Sequence, residues 1–372
     1  MFAVVVFIII LTVLVMIHEF GHFIMAKRAG IGVEEFGFGL PPRIWGKKYK
    51  GTIYSINWLP FGGFVRLVGE DSTDENRNRK DSFSNKSIGQ RSLVVVAGVF
   101  MNLVLAVVIF YIVVVALGFK VNMPLLVDHN FKFVNQSKQV LVGDISADSA
   151  ASKSGIKSGD SIVAIDSQKI ESISQLQGIV RQSEGKELTL TLENPVNNQE
   201  KQVKATPTYS EQLKAPALGV GLGELYVLNY VTFPQKLFSG FIHSYNTIDY
   251  SLSVLKELIG FSIKEHNVAA VSEGVSGPIG IAKITSQAVA LGPISVLQLV
   301  GLLSLNLAFL NILPIPALDG GRFFFILVEA VTRRKVHATF EKWVHTVGFV
   351  VLIGLILLVT YNDILKLIHK QF

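Results

Sequence analysis

Long apolar segments near both ends of the chain are the feature that most limits its fold. Residues 2–26 are almost wholly apolar, and further apolar runs cover residues 93–119, 294–313 and 344–367. Each run is long enough to cross a hydrocarbon core of about 30 Å. We therefore predict a polytopic α-helical membrane protein with about four transmembrane helices. A signal peptide is the alternative for the first run, but no basic residue precedes Lys27 and no small-residue cleavage site follows it.

The charge and the cysteine content limit which metal ligands and which binding partners are possible. The chain has no cysteine, and its formal net charge is +6 at pH 7. Any bound metal must therefore be held by His, Asp or Glu. The basic residues cluster in loops beside the apolar runs, which favours a membrane orientation signal and argues against a nucleic-acid partner.

Two short loops set the expected orientation. The loop between the first two predicted spans and the loop between the last two are both rich in Lys and Arg, and such loops remain in the cytoplasm. We therefore expect residues 120–290 to lie outside the cytoplasm. The basic residues are Lys27, Arg28, Arg43, Lys47, Lys48, Lys50 and Arg66 in the first loop, and Arg322, Arg333, Arg334, Lys335 and Lys342 in the second.

The interior of the chain divides into two parts by composition. Residues 120–210 resemble an ordinary soluble domain, with strand-like alternation and short helical segments that predict a small α+β module. Residues 211–290 are expected to be a linker with an amphipathic, interfacial helix over residues 234–261, because polar residues interrupt the apolar clusters there. Residues 1–119 and 291–372 contain the first two and the last two spans.

Residues 43–69 form a β-prone stretch between the first two spans. Apolar residues alternate there until Pro60-Phe61-Gly62-Gly63, which marks a bend. We predict a β-hairpin that dips in against the helices, because unpaired backbone groups are costly in lipid. A plain cytoplasmic hairpin is the alternative, and the periodicity does not decide between the two.

The first span contains the sequence His18-Glu19-Phe20-Gly21-His22. On a helix, residues i and i+4 share one face, so both imidazoles can bind one zinc while Glu19 reaches the water. The pentapeptide alone has low specificity, but its position in an apolar helix carries weight, because charged groups at this depth cost about 2.5–3.5 kcal/mol each. A polar cluster satisfied within a helix bundle is the alternative.

A zinc site also needs a third protein ligand. The third span ends in a stretch with two prolines followed by Asp319-Gly320-Gly321, which predicts an unwound backbone with a carboxylate at membrane depth. Asp319 is therefore the candidate third ligand. A helix cap or a loop residue is the alternative reading of Asp319.

Several motifs together resemble the site-2 protease family of the RseP/RasP type, and the resemblance covers nearly the whole chain. Leu40 and Val99 depart from the family pattern, which usually has proline at both positions. The run that begins at Ala147 resembles a bacterial PDZ domain. The other motifs are His18–His22, Gly37–Gly39, residues 60–67, Gly98-x-x-x-Asn102, Ser276-Gly-Pro-Ile-Gly280 and Asn311-x-x-Pro-x-Pro-x-Leu-Asp-Gly-Gly321.

The resemblance implies roles for individual residues. His18, His22 and Asp319 would bind one Zn²⁺ per chain, and Glu19 would activate the water. Asn311, with assistance from Asn306, would contact substrate. The hairpin edge at Gly62, Gly63, Phe64 and Val65 would pair with the unwound substrate. The other histidines (His129, His243, His266, His337, His345 and His369) are isolated in sequence, and we expect no role for them.

The resemblance also implies a function and a place. The chain would be an intramembrane metalloendopeptidase of the bacterial inner membrane, with its zinc site towards the cytoplasm and one extracytoplasmic PDZ-like domain. Its partners would be single-span membrane substrates, such as anti-sigma factors or remnant signal peptides, and an unidentified peptide or protein ligand of the PDZ-like domain. A membrane-anchored zinc peptidase for misfolded or soluble chains, and a non-catalytic PDZ scaffold, are the alternatives.

Overall fold

The computed structural model describes residues 2–70, 79–194, 199–211, 213–265 and 276–368. The chain divides into two compact units. The first comprises residues 1–110 and 255–372, and the second comprises residues 111–254.

Helices dominate the first unit. They are α1 (Phe2–Arg28), α2 (Ile88–Ala116), α7 (Pro278–Leu291), α8 (Pro293–Ile312), α9 (Asp319–Thr332) and α10 (Ala338–Ile368). By length and apolar composition, α1, α2, α8 and the part of α10 from residue 339 onward qualify as membrane spans. These four agree with the predicted spans in number and position.

Close backbone contact joins α1 to α2. A Cβ added to Gly21 would lie 2.4 Å from the carbonyl oxygen of Ala97, so only glycine permits this crossing. Small residues at such crossings let two apolar helices approach, which is the usual basis of helix packing in membranes. At the other end of the unit, the buried ion pair Arg91–Glu329, at 2.7 Å, ties the start of α2 to the end of α9.

The motif Ser276-Gly-Pro-Ile-Gly280 attaches α10 to the start of α7. The Asp363 carboxylate on α10 is fully buried and accepts a hydrogen bond of 2.8 Å from the Gly280 amide. Amide donors at a helix N-terminus stabilise such an anion. A Cβ on Gly277 would lie 2.8 Å from Asp363 Oδ2, so the glycine provides the space for the carboxylate.

The β structure of the first unit is larger than the predicted hairpin over residues 43–69. Strands β1 (Val33–Tyr49) and β2 (Thr52–Leu67) are both bent, and together they make four side-by-side segments in the order 63–67, 33–38, 53–56 and 43–49. Sequence reasoning missed residues 33–40, because glycines and acidic residues interrupt the alternation there. Segment 63–67 is an outer edge of this sheet.

The sheet packs along α1. The Thr12 hydroxyl donates to the Pro60 carbonyl at 3.3 Å, and the Phe23 ring lies 5.0 Å from that of Phe36. A Cβ on Gly63 would lie 2.3 Å from Met16 Sδ, so the Gly62-Gly63 bend brings the backbone directly onto the helix. This contact agrees with a sheet that lies against the helices.

The second unit is built on a sheet with strand order β3-β11-β4-β5-β7-β8 and with β6 paired to β5. Helices α3 (Ala150–Ser154) and α4 (Ile173–Arg181) begin at the N-caps Ser149 and Ser172. Buried Val, Ile and Leu side chains of the strands form the core with Leu176 and Val180 of α4. The strands are β3 (Lys120–Pro124), β4 (Asn135–Ile145), β5 (Ser161–Ile165), β6 (Gln168–Lys169), β7 (Leu188–Glu193), β8 (Glu200–Ala205), β9 (Thr208–Ser210), β10 (Ala215–Ala217) and β11 (Val220–Asn229).

The sheet extends beyond residue 210, where a linker is expected from the sequence. Strand β11 lies between β3 and β4 and is therefore an interior strand. Two glycines near its start, Gly221 and Gly223, weaken the strand pattern in the sequence. A cavity of about 120 Å³ separates the start of β11 from α4 and is lined by Leu176, Val180, Pro216, Leu218 and Leu222.

Helices α5 (Phe233–Leu237) and α6 (Ser239–Lys264) occupy the segment expected to be amphipathic. Exposed apolar side chains recur at helical spacing along α6, and neither helix qualifies as a membrane span. The exposed residues are Phe241, Tyr245, Leu252, Leu255, Ile259, Phe261 and Ile263.

Candidate metal centre

Two histidines of α1 and one aspartate of α9 converge on one point. His18 Nε2 and His22 Nε2 are 3.1 Å apart, one helical turn from each other. Asp319 Oδ2 lies 2.8 Å from His18 Nε2 and 3.2 Å from His22 Nε2. Within the part of the chain that the structure describes, this is the one group of three or more His, Asp or Glu side chains close enough to share a metal ion.

The break between α8 and α9 brings Asp319 to this point. Helix α8 ends at Ile312, and Asp319 begins α9 after a short loop that contains Pro314 and Pro316. A Cβ on Gly320 would lie 2.0 Å from the Leu313 carbonyl oxygen, so the chain can fold back this tightly only at glycine.

The geometry fits a tetrahedral zinc ion. Zinc bonds of about 2.0–2.1 Å to nitrogen and oxygen place neighbouring ligand atoms about 3.3 Å apart. The three distances between the converging atoms, 2.8, 3.1 and 3.2 Å, lie below that value, so slight outward movement of the side chains would admit the ion. The tautomer of His22 also suits zinc binding, because its Nδ1 lies 2.7 Å from the Val94 carbonyl oxygen. A carbonyl only accepts, so Nδ1 bears the proton and Nε2 presents its lone pair.

Asn102 of α2 provides the matching support for His18. Its side-chain amide lies 3.4 Å from His18 Nδ1, and its Oδ1 is buried with no hydrogen-bond partner among the described residues. With the amide turned so that Oδ1 faces the ring, Oδ1 accepts a hydrogen bond from Nδ1–H, and the lone pair of His18 Nε2 is left for a metal. The Asn102 carbonyl in turn accepts from the Ser304 hydroxyl of α8 at 2.8 Å. Such contacts orient metal-binding imidazoles.

Glu19 lies beside the three converging groups. Its Oε2 accepts a hydrogen bond of 3.0 Å from the backbone amide of Val65, on the outer edge of segment 63–67. The carboxylate adjacent to the metal-binding face is thus held by the sheet.

A cavity of about 800 Å³ opens beside this group. Elements α1, α2, α9 and α10 and the end of β2 form its walls, and an ion pair between Arg322 and Glu70 connects α9 to the segment after β2. Lining residues include Glu19, His22, Phe64, Val65, Glu70, Val94, Ala317, Asp319, Arg322, Glu341, His345 and Phe349.

Comparison with known proteins identifies the family. The model of peptidase family M50 matches residues 6–355. The chain belongs to peptidase family M50, the site-2 proteases. Zinc metalloproteases named RasP from Oceanobacillus iheyensis and Geobacillus kaustophilus are 30% and 28% identical to it, over 99% and 97% of this chain and 100% and 97% of their own. A regulator of sigma-W protease, also named RasP, from Bacillus subtilis is 26% identical over 98% of both chains.

These matches confirm the resemblance to the site-2 proteases. The chain is a zinc metalloprotease. Among solved structures, the PDZ domain of an SdrC-like protein from Listeria monocytogenes aligns with 26% of this chain and 93% of its own length, at 18% identity. Its TM-score is 0.21, too low to support an inference about the fold of the second unit.

The predicted substrate-binding residues lie in different places. Phe64 and Val65 line the cavity, whereas Gly62 and Gly63 form the bend against α1. Asn311 is half-buried in the last turn of α8, on the helical face that also contains the buried Ser304. Asn306 is exposed on another face of α8. Neither asparagine is among the residues that line the cavity.

Sequence reasoning missed two groups near the site. Asn102 belongs to a motif of the resemblance but had no expected role, and the signal was its spacing from Gly98. His345 is isolated in sequence, yet α10 places it in the cavity wall.

The remaining histidines lie elsewhere or cannot be placed. His243 Nδ1 and the Tyr230 hydroxyl share a hydrogen bond of 3.0 Å within the second unit, and burial lowers the pKa of His243 to about 4, so the imidazole is neutral at pH 7. His129 faces Asp249 in that unit, and His337 is exposed before α10. His266 and His369 lie outside the described residues.

Gly98 offers a test of the metal site that leaves every candidate ligand intact. A Cβ at this position would lie 2.4 Å from His22 Nε2 and 2.8 Å from His18 Nε2. We expect Gly98→Ala to displace both imidazoles and reduce the zinc content of purified protein from one equivalent to a small fraction. Gly89, also on α2, has no atom within 4 Å of an added Cβ, so Gly89→Ala is the matched control. Equal zinc in both variants would contradict this assignment.

Proposed function

We propose that the chain is an intramembrane endopeptidase that cuts single-span membrane proteins, with one zinc held by His18, His22 and Asp319. The observation that carries this proposal is the convergence of these three side chains beside Glu19 on α1, a helix long and apolar enough to span a membrane. Polar groups at such depth are usually functional.

The chain's own residues divide the chemistry between them. Zinc, when bound, acts as a Lewis acid that lowers the pKa of water to about 7. Glu19 takes a proton from the attacking water and returns one to the leaving amine. The Val65 amide donates to Glu19 Oε2, so Oε1 is the oxygen that would carry out this transfer.

The substrate must be unwound before water can reach its carbonyl groups, because a transmembrane helix encloses them in hydrogen bonds. We propose that segment 63–67 receives the unwound stretch as an added strand. It is an outer edge of the sheet, and Phe64 and Val65 line the cavity. Asn311 would hydrogen-bond the freed substrate backbone from α8. Strand addition at an exposed edge is a general mode of peptide recognition.

Substrate class and sidedness are further parts of the proposal. The Bacillus subtilis relative is named as a regulator of sigma-W protease, which supports anti-sigma factors as substrates here, with remnant signal peptides as the other class. The zinc site would face the cytoplasm of the inner membrane, the PDZ-like second unit would lie outside, and α6 would lie in the interface. A membrane-anchored peptidase for misfolded or soluble chains is the alternative.

Glu19→Gln tests the proposed reaction. The amide keeps the size of the side chain but cannot accept a proton, so we expect cleavage of a single-span substrate to fall by about 10²–10⁴-fold. Zinc content should remain at one equivalent, because Glu19 is not a ligand. The same variant should trap bound substrates for identification. Cleavage at the wild-type rate in Glu19→Gln would show that Glu19 takes no part in the reaction.

Reporter fusions test the proposed orientation. A reporter fused after residue 80 should give the cytoplasmic signal, since the loop before α2 is rich in basic residues. A reporter inserted within residues 140–205 should give the extracytoplasmic signal. If the two fusions gave the same signal, the orientation inferred from the basic loops would be wrong.

Val65→Pro tests strand addition. Proline disrupts a pairing edge and also removes the Val65 amide that holds Glu19, so we expect cleavage to fall sharply while zinc content remains normal. Val65→Ala removes most of the side chain but keeps the amide, and it should cleave nearly as well as the wild type. A substrate weakened by Gly or Pro near its scissile bond should be less sensitive to Val65→Pro. Equal loss in the alanine and proline variants would assign the effect to the side chain instead.

A further inference from the structure

Arg66 is a charged residue of the outer edge 63–67 that the proposed reaction does not use. Its side chain is 57% exposed and lines the same cavity as Glu19 and Asp319. The preceding residue, Val65, donates its amide to Glu19 at 3.0 Å. Arg66 is therefore accessible from the cavity and lies one residue along the edge from the group that holds Glu19.

The side chain of Arg66 lies on the face of the sheet that points away from α1. Val65 and Leu67 pack in the apolar cluster around Ala26 of α1, and successive side chains of a strand point to opposite faces. Phe64 and Arg66 therefore share the other face. There the guanidinium carbon of Arg66 lies 5.8 Å from the centre of the Phe64 ring, which is close enough for a cation–π contact.

Gly37, from the motif Gly37–Gly39, makes room for this pair. A Cβ added to Gly37 would lie 2.5 Å from Cε1 of Phe64, so the ring lies directly on the backbone of the neighbouring segment. Arg66 thus contacts an aromatic ring that is itself fixed by packing. Part of the conformational entropy that a long side chain loses on binding is therefore already lost before a substrate arrives.

The positive charge of Arg66 is only partly balanced within the sheet. The buried Glu35 accepts from Arg43 on both carboxylate oxygens, with Nε–Oε1 at 2.9 Å and Nη2–Oε2 at 2.6 Å. Arg66 Nη1 lies 3.8 Å from the same Oε2, beyond hydrogen-bond distance. Two guanidinium groups therefore share one carboxylate, and the surplus positive charge lies on Arg66, the more exposed of the two.

A substrate strand added at this edge would bring one of its side chains directly beside Arg66. Residues opposite each other on neighbouring strands have Cβ atoms about 4.5–5.5 Å apart, and pairs of opposite charge are favourable there. Because Val65 lies at Glu19, the substrate residue opposite Arg66 falls within about two residues of the bond that is cut. A carboxylate is the complementary group, since it can accept two hydrogen bonds from one guanidinium.

We propose that Arg66 determines specificity by favouring substrates with an aspartate or glutamate within about two residues of the scissile bond. The proposal rests on the proposed protease function and on strand addition at segment 63–67, and it adds a chemical property that the substrate must have. Arg66 contacts the substrate side chain and takes no part in proton transfer, which stays with Glu19.

The experiment compares matched substrates of the full chain in detergent. Mass spectrometry first locates the scissile bond of a single-span substrate. Aspartate, asparagine or lysine is then placed, one at a time, at each of the nearest positions on both sides of that bond. Aspartate and asparagine have nearly the same shape, so the ratio of their kcat/KM values isolates the effect of the charge.

Two variants change the charge at the edge, and a third is the matched control. Arg66→Gln removes the charge but keeps a polar side chain, and Arg66→Glu reverses the charge. Lys48→Glu makes the same reversal elsewhere: Lys48, Ile53, Glu35 and Arg66 form one row across the sheet, so Lys48 lies on the opposite outer edge at the same level. Lys48 is exposed and is not among the residues that line the cavity. The zinc content of each variant shows that the metal site is intact.

We expect the wild type to cut the aspartate substrate about 5-fold better than the asparagine substrate at one of these positions, the gain that one cross-strand pair of opposite charge provides. The ratio should fall to about 1 in Arg66→Gln, because no charge remains to pair. Arg66→Glu should prefer lysine to asparagine at the same position. Lys48→Glu should keep the wild-type ratio. If Arg66→Glu does not fold, the ratio in Arg66→Gln still decides the question.

Two results would overturn the proposal. An aspartate-to-asparagine ratio that is the same in the wild type and in Arg66→Gln at every position would show that Arg66 does not recognise substrate charge. A change in the ratio that is equally large in Lys48→Glu would assign the preference to the overall charge of the sheet. Failure of the protease function is distinguishable from both, because the wild type would then cut no substrate in a way that depends on Glu19.

Discussion

The structure depends on bringing a carboxylate and two imidazoles to one point inside an apolar helical unit. Each group would be costly there alone, because polar atoms without partners lose far more on leaving water than they recover from apolar neighbours. Together, the three atoms lie within 3.2 Å of one another, a spacing that suits the ligands of one cation. Val94 and Asn102 orient the rings for this arrangement, so α2 is as much a part of the site as α1.

Glycines, which have no side chain, are as necessary for this convergence as the candidate ligands themselves. At Gly98 the imidazoles occupy the space where a Cβ would lie, and at Gly320 the backbone of the broken helix does so. Gly21 brings α2 close enough for its backbone to reach His22. Because a methyl group at any of these positions would force the backbone or a candidate ligand to move, the glycines fix the dimensions of the site.

The sheet and the last helix control what surrounds the metal site. The Val65 amide holds Glu19 and lies on the same edge that we propose for substrate, so substrate pairing and the position of the general base depend on one backbone group. Helix α10 contacts the opposite wall through His345 and Gly348 and is held at its far end by Asp363. Ala317 has a φ of +76°, which costs a residue with a Cβ about 1–2 kcal/mol, and it stays in place because α10 packs on its loop. The sheet on one side of the cavity and α10 on the other are therefore elements outside the helices that contain the candidate ligands.

The sequence by itself determined the elements whose signal is local. Apolar runs gave the four candidate spans, because length and composition suffice to identify a helix that must satisfy its own backbone in lipid. The spacing of His18 and His22 placed both on one helical face, and the prolines and glycines around Asp319 marked a broken helix. Strand alternation and short helical segments located most of the second unit, and the ordered motifs together identified the protease family.

Tertiary structure alone decided the rest. Residues 33–40 are part of the sheet because segments 63–67 and 53–56 hydrogen-bond to them on either side. No pattern within residues 33–40 themselves reveals these partners. Strand β11 became an interior strand for the same reason. The supporting role of Asn102 and the place of His345 in the cavity wall depend on the packing of α2 and α10, which lie far from α1 in sequence. Spacing along a helix fixes which side chains share a face, but only packing fixes what that face meets.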